Sequence, residues 1–353
     1  MKSIASAPAK IILFGEHFVV HGTKAILAAI DKRVTVTTTF TENKTIKINS
    51  ELGTIEVPIS SSHEEVKSEF RPFVYLAKKI INSAKWKNVK HAKGLEIEIN
   101  SDIPVGVGLG SSSACCVAAA ASIYGLFKEL SSEEILKMSI EAEKTIFPDL
   151  SGADLYVCAA GGIIGCEEDG DSFVYHSSTP SVSYEISANL VIVNSMIQHS
   201  TKRSVEKVRK FKENNEKRFS ELCDLVNQLM EHYDKLGRRI GVLEDMIKND
   251  ITAIGLKMSE NQKYLEEIQV SNNTLRGMIS SLNEISLGSK ITGAGDGGCI
   301  IALIKDENMD QIPALLGNDK ECFSAKIDTK GVVWSKIEPV SYTHLTLPTT
   351  PYV

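Results

Sequence analysis

Several features are scarce or missing in this chain, and each absence removes a class of function. No apolar run approaches the ~20 residues that a membrane-spanning helix needs, and the first residues, Met1-Lys2-Ser3-Ile4-Ala5-Ser6, carry no apolar core of a secretory signal. There is no basic excess: 39 Lys and Arg stand against 45 Asp and Glu, a net charge of −6. That argues against nucleic acid or an anionic membrane as partner, and it means that an anionic ligand needs a local basic site. The seven cysteines form no C-x-x-C pair, are odd in number and sit mostly in apolar runs. Reduced thiols in a cytoplasmic protein are the expectation. The glycine-rich loop at 106–110 lacks the common phosphate-loop ending Gly-Lys-Ser/Thr, and its spacing G-x-G-x-G followed by Ser is not the dinucleotide G-x-G-x-x-G.

What is present is Pro104-Val105-Gly106-Val107-Gly108-Leu109-Gly110-Ser111-Ser112-Ser113-Ala114. Ahead of it, Gly94 to Asn100 alternates apolar and polar residues as a half-buried strand does. Behind it, Ser113 to Phe127 is Ala-rich and predicts a buried helix. Alternate glycines let a backbone approach a ligand, a helix N-terminus offers free N–H groups and positive potential, and serine hydroxyls add donors or a Mg²⁺ ligand. Strand, glycines, serines and helix together make a nucleotide-phosphate cradle.

A length of 353 residues suggests two domains. The apolar Ile11 to Phe14 reads as a strand leading into Gly15-Glu16-His17-Phe18-Val19-Val20-His21-Gly22, a glycine-bounded loop rich in ionisable groups. A helix is predicted over 69–86, another after the start signal Ser131-Ser132-Glu133-Glu134, and a long helical region over 205–236, with further helices near 245–258 and 274–284. Asp154 leads from the loop Pro148 to Ala153 into a nearly uncharged run. The polar stretch 169–183 is the expected domain boundary. A second glycine loop, Ser289 to Gly298, precedes the strand Cys299 to Ile304, and Val332 to Trp334 is the last strand-like run. Residues 1–183 and 184–340 are therefore expected to form the two domains, with 341–353 a tail outside the fold, non-native or disordered.

Three ordered stretches, Pro8-Ala9-Lys10 through Gly15-Glu16-His17, the cradle, and Lys290 through Cys299, resemble the three motifs of the GHMP small-molecule kinases. The Gly15 to Gly22 loop is most similar to the branch that phosphorylates mevalonate in isoprenoid synthesis; galactokinases usually continue Gly-Glu-His differently. The resemblance implies an α+β fold of two domains, the first like ribosomal protein S5 domain 2 and the second ferredoxin-like. It implies ATP and mevalonate as substrates and Mg²⁺ as cofactor, and leaves room for a homodimer. Asp154 and Lys10 match catalytic positions, Ser112 and Glu143 match metal ligands, and Glu16, His17 and Thr201 match positions near the substrate. For ATP it implies Pro104, Gly106, Gly108, Leu109, Gly110, Ser111, Ser112, Ser113 and Ala114, with Gly293, Ala294 and Gly295 from the third motif. Another hydroxy acid or sugar (phosphomevalonate, homoserine or galactose) is the alternative substrate, and a ligand sensor on the same fold the alternative class. Two residues depart from the pattern. Ala9 stands where many relatives have glycine, and Asp296 puts a carboxylate into the third glycine loop, where it should repel ATP unless it points away or helps to hold Mg²⁺.

Overall fold

The structure, a computed structural model, describes residues 1–87, 89, 93–128, 130–169, 172–178, 188–198, 200–237, 251–317 and 320–337. Two sheets organise it. The larger has eight strands in the order β12-β1-β2-β5-β3-β4, with β6 joining β2 and β7 joining β6. Here β1 is Lys2–Phe14, β2 Lys24–Thr41, β3 Thr45–Ser50, β4 Gly53–Pro58, β5 Gly94–Ser101, β6 Ile163–Asp169, β7 Ser172–Ser178 and β12 Val333–Ile337. The smaller is a four-stranded antiparallel sheet in the order β11-β8-β10-β9, with β8 Asn189–Asn194, β9 Ser286–Ile291, β10 Cys299–Ile304 and β11 Cys322–Ala325. Mixed helix and sheet is the class that the sequence led us to expect.

The long strand β2 is the hub of the larger sheet. Its first part pairs with β6, its last part with β5, and β1 lies along both. Its face alternates as a half-buried strand should, with Val34 and Val36 inside and threonines between them. The helix Ser111–Gly125 lies on this sheet with Ala114, Val117, Ala118, Ala121 and Ile123 buried. Its many alanines fill little space, which lets a helix approach β1 and β2 closely.

Several predicted elements are cut differently. The helix predicted over 69–86 is a 3₁₀ turn Ser68–Phe70, the helix Arg71–Ile81 and a short turn Ala84–Lys87. Asn82 and Ser83 interrupt it, the Ser83 hydroxyl donating to Ile80 O at 2.6 Å. The region 205–236 is two helices, Thr201–Asn214 and Glu216–Gly237, broken at Asn215, whose φ of −140° is not helical. The predicted start signal at Ser131 is a full capping box: its side chain accepts from Glu134 N while Glu134 accepts from Ser131 N. The polar stretch taken for a boundary contains β7, paired along β6; residues 179–187 lie outside the described ones. So do 238–250, where part of the helix expected near 245–258 falls, and the expected tail 341–353. Ile251–Glu267 and Asn273–Asn283 are the helices beside the smaller sheet.

The chain does not divide cleanly at 183. After the smaller sheet it returns, and β12 adds to the outer edge of β1, with Lys2 opposite Ile337 and Ser6 opposite Val333. A run of three strand-like residues carries no sign of which sheet it joins, because pairing partners are set by the fold and not by the local pattern.

Candidate active site

The cradle is held from two sides. On one side Lys10 N, in β1, donates to Leu109 O at 2.9 Å; on the other Cys299 N, at the start of β10, donates to Val107 O at 3.0 Å. The two carbonyls bind the first and third motifs, with Gly108 between them. Gly106, Gly108 and Gly110 all take positive φ, 74°, 85° and 72°, which L side chains rarely adopt. Gly110 matters for a second reason: a Cβ there would lie 2.8 Å from Lys10 Cγ. Glycine is what lets the helix N-terminus sit over the lysine stem.

From this arrangement Lys10 reaches Asp154, Nζ to Oδ2 3.1 Å. Lys10 is buried (its side chain 4% exposed), whereas the Asp154 side chain is 42% exposed, so the carboxylate is the open end of the pair. Asp154 lies in the first turn of the helix Ala153–Ala160, which Gly152 enters with φ of 84°. A carboxylate there is favoured by the helix dipole and fixed by the turn.

Glu143, at the end of the helix Ser132–Glu143, is buried behind the cradle. The Ser113 hydroxyl lies 3.0 and 2.9 Å from its two oxygens. Burial pushes its carboxyl up to about 7, Asp154 nearby adds to the rise, and the hydroxyls of Ser112 and Ser113 and the charge of Lys10 oppose it. A buried carboxylate that is short of positive charge, beside a second carboxylate and two hydroxyls, fits a divalent cation brought in by a nucleotide. Among the described residues no cluster of three His, Cys, Asp or Glu could hold a metal by itself. The resemblance implies Ser112 as a metal ligand; its hydroxyl lowers the Glu143 carboxyl pKa together with that of Ser113, whose hydroxyl makes the two hydrogen bonds given above.

Glu16 and His17 occupy the junction between the first and third motifs. Glu16 pairs with Lys290 in full burial, and Lys290 also donates to Ile291 O at 2.7 Å. The Thr292 hydroxyl lies 2.8 Å from Ile12 N and 3.2 Å from Ile12 O. His17, at φ of 62°, places Nε2 2.9 Å from Ala294 O. Because a carbonyl accepts, Nε2 carries the proton there. Burial pushes the imidazole pKa down, the Ala294 bond opposing it, so the ring is held neutral. Gly293 lies against the cradle, its direction of substitution 3.3 Å from Gly108 O. Thr201 stands exposed at the head of its helix. Thus the structure brings Lys10, Asp154, Glu143 and the serines together, and groups Glu16, His17 and Ala294 beside them.

The sequence reading missed a pocket. Next to Ser111 and Ser112 a cleft of about 280 Å³ is lined by Leu52, Glu69, Pro72, Phe73, Val105 and Phe147, among others. Leu52, Val105 and Phe147 are each more than half exposed, a large apolar rim open to solvent. Its residues come from five separate stretches, and only Val105, Ser111 and Ser112 fall in a motif, the cradle itself. The unexplained apolar residues at the β3–β4 turn and at Phe147-Pro148 were the only available signal.

Comparison with known proteins agrees with this geometry. The GHMP kinases N terminal domain matches residues 73–162 and the GHMP kinases C terminal domain matches residues 242–313. Mevalonate kinase of Thermococcus sibiricus is 34% identical over 323 residues, covering 89% of this chain and 93% of its own. That of Pyrococcus furiosus is 34% identical over 337 residues with the same coverage. In three dimensions the chain is similar to Methanococcus jannaschii mevalonate kinase, with a TM-score of 0.75 at 24% identity over 92% of this chain and 98% of that one. It is also similar to an L. major mevalonate kinase in complex with R-mevalonate, TM-score 0.72 at 22% identity over 91% and 94%. At those identities the two structures speak for the two-domain GHMP kinase fold.

Proposed function

Since the chain belongs to the mevalonate kinase family of GHMP kinases, we propose that it transfers the γ-phosphoryl group of ATP to the 5-hydroxyl of mevalonate. The observation that carries this reading is the Lys10–Asp154 pair set beneath a helix N-terminus and three left-handed glycines. Phosphoryl transfer needs alignment, charge neutralisation and a place for the alcohol proton. The free N–H groups at Ser111 to Ser113 would receive the phosphates. The apolar cleft beside them, with Phe73 and Phe147, suits a purine.

Ser112, Ser113 and Glu143 would hold Mg²⁺, which supplies neutralisation of the phosphate charge when bound. As the mevalonate oxygen bonds to the γ-phosphorus, the bond to the β-phosphate oxygen breaks and ADP leaves. Asp154 takes the hydroxyl proton or orients it, while Lys10 stabilises the alkoxide that develops. A carboxylate alone is a weak base for an alcohol, which makes the second group necessary. His17 and Thr201 would shape the substrate side. The seven cysteines are free thiols, and among the described residues no helix is long and apolar enough to cross a membrane; both agree with a cytoplasmic enzyme.

A coupled ADP-release assay with ATP and Mg²⁺ across mevalonate, phosphomevalonate, homoserine and galactose tests the substrate. Mevalonate is expected to exceed each of the others in kcat/KM by at least ~100-fold, roughly 2.7 kcal/mol of transition-state binding. Preference for any other of the four overturns the substrate and keeps the kinase.

A further inference from the structure

Asp296 is out of place by sequence and strained by conformation. Its φ of 59° lies in the left-handed region that favours glycine, as it does at its neighbours Gly293 and Gly295. Its side chain is only 10% exposed. A carboxylate kept at such a position, inside a loop packed on a phosphate cradle, ought to weaken binding of an anion.

The compensation comes from another element. Lys207 Nζ donates to Asp296 Oδ1 at 2.7 Å and to Gln269 O at 3.3 Å, and it also faces Oδ2. The Asp296 backbone is held as well: its N–H donates to Val270 O at 2.7 Å, and Asn272 Nδ2 donates to its carbonyl at 3.1 Å. One turn before Lys207, the buried Ser204 hydroxyl reaches Gly295 O at 3.5 Å. Ser204 and Lys207 are three apart on the helix Thr201–Asn214 and share a face, and Thr201 opens that face one turn earlier. The helix is therefore tied twice to a loop that also meets His17 at Ala294 and the cradle at Gly108.

We propose that Lys207 and Asp296 are a positioning pair for nucleotide binding: Lys207 cancels the carboxylate that this chain carries in its third glycine loop and clamps the substrate-side helix to that loop. The inference rests on the reading of the cradle as the ATP site. Nucleotide affinity then depends on the balance of the two charges: losing Lys207 alone exposes the carboxylate, and losing both restores the balance.

The test is direct titration of Mg·ADP by calorimetry, alongside the ATP KM and kcat with mevalonate. Lys207→Met should raise the Mg·ADP Kd on the order of tenfold by leaving Asp296 unneutralised, with kcat within about twofold. Lys207→Arg, which keeps the charge, should bind as the wild type does. Asp296→Asn is chosen because Asn tolerates positive φ, and it should change Kd by less than about threefold. The double variant Lys207→Met/Asp296→Asn should return to within about threefold of wild type. A Lys207→Met protein that binds within twofold of wild type overturns the pair. So does a double variant as weak as Lys207→Met, since that makes Lys207 a phosphate ligand in its own right. Thermal melts establish that each variant is folded; if Lys207→Met is not, Lys207→Gln takes its place with the same expectations. The titration needs no mevalonate, so a wrong substrate would silence the turnover assay while the Mg·ADP titration still reads the pair. No binding of Mg·ADP by the wild type would instead overturn the ATP site itself.

Discussion

Two buried lysines, Lys10 and Lys290, each meet one carboxylate, and the two pairs are built for different work. Lys290 and Glu16 are sealed, 0% and 1% exposed, and join the loop after β1 to the end of β9. Lys10 is equally enclosed, but Asp154 faces solvent. Desolvation pushes Glu16 up and Lys290 down, toward their neutral forms; their mutual attraction opposes it, helped at Glu16 by a backbone hydrogen bond and the charge of Lys10. Such a pair cannot let one partner go without stranding a charge. Asp154 can change partners, because water or a hydroxyl can take the place beside it. The difference separates a group available for chemistry from one that fixes where the chemistry happens.

Substitutions at each end should pull the two apart. Asp154→Asn keeps shape and removes the proton acceptor; kcat is expected to fall about 10²–10⁴-fold or more, with little change in melting temperature. Near wild-type turnover would remove Asp154 from the reaction. Lys290→Met should act the other way, costing about 3–5 kcal/mol in chemical denaturation by leaving Glu16 buried and unpaired. Adding Glu16→Gln should restore part of that loss, and a cost below ~1 kcal/mol for Lys290→Met would make the sealed pair no more structural than a surface one.

The smallest effect is a pH dependence at Glu143, which is buried like Glu16 but lies next to the open pair. Its folded carboxyl sits at about 7 and its unfolded value near 4.5. The folded state therefore holds its proton longer. The stability from this group is present below about 4.5 and is lost as pH rises through about 7, on the order of 3 kcal/mol in all. Glu143→Gln should remove that part of the pH slope, measured by urea denaturation without Mg²⁺. In the wild type, Mg·ATP affinity should rise through pH 7 as the carboxylate forms. An identical pH slope in Glu143→Gln would show that the shift belongs to another group.

What the sequence made legible was local. Glycine spacing, the serines and the following helix announced the cradle, and Ser131 with Glu134 announced a helix start, because neighbours in the chain make those structures. The motif resemblance supplied Lys10, Asp154 and Glu143 as a set, and the structure places them together. Three things could not be read. Glu16 with Lys290, Lys207 with Asp296, and the apolar cleft of Leu52, Phe73 and Phe147 are each made by residues far apart in the chain, with no periodicity to announce them. Asp296 drew attention by its charge, but its partner did not, since Lys207 looks like any other lysine on a charged helix.

The pairing of β12 with β1 has a consequence for how the molecule is made. Lys10 belongs to the first described strand, and the last described strand completes the edge beside that strand's first residues. Until then β1 presents an open row of N–H and C=O groups, a template for pairing with other chains. So distant a contact is also slow to form. A fragment cut after residue 183 would keep the cradle and lose the strand that covers this edge. The first half should therefore be prone to aggregation as a separate product, and Lys10 would stand on a sheet whose edge is completed only by a strand far along the chain.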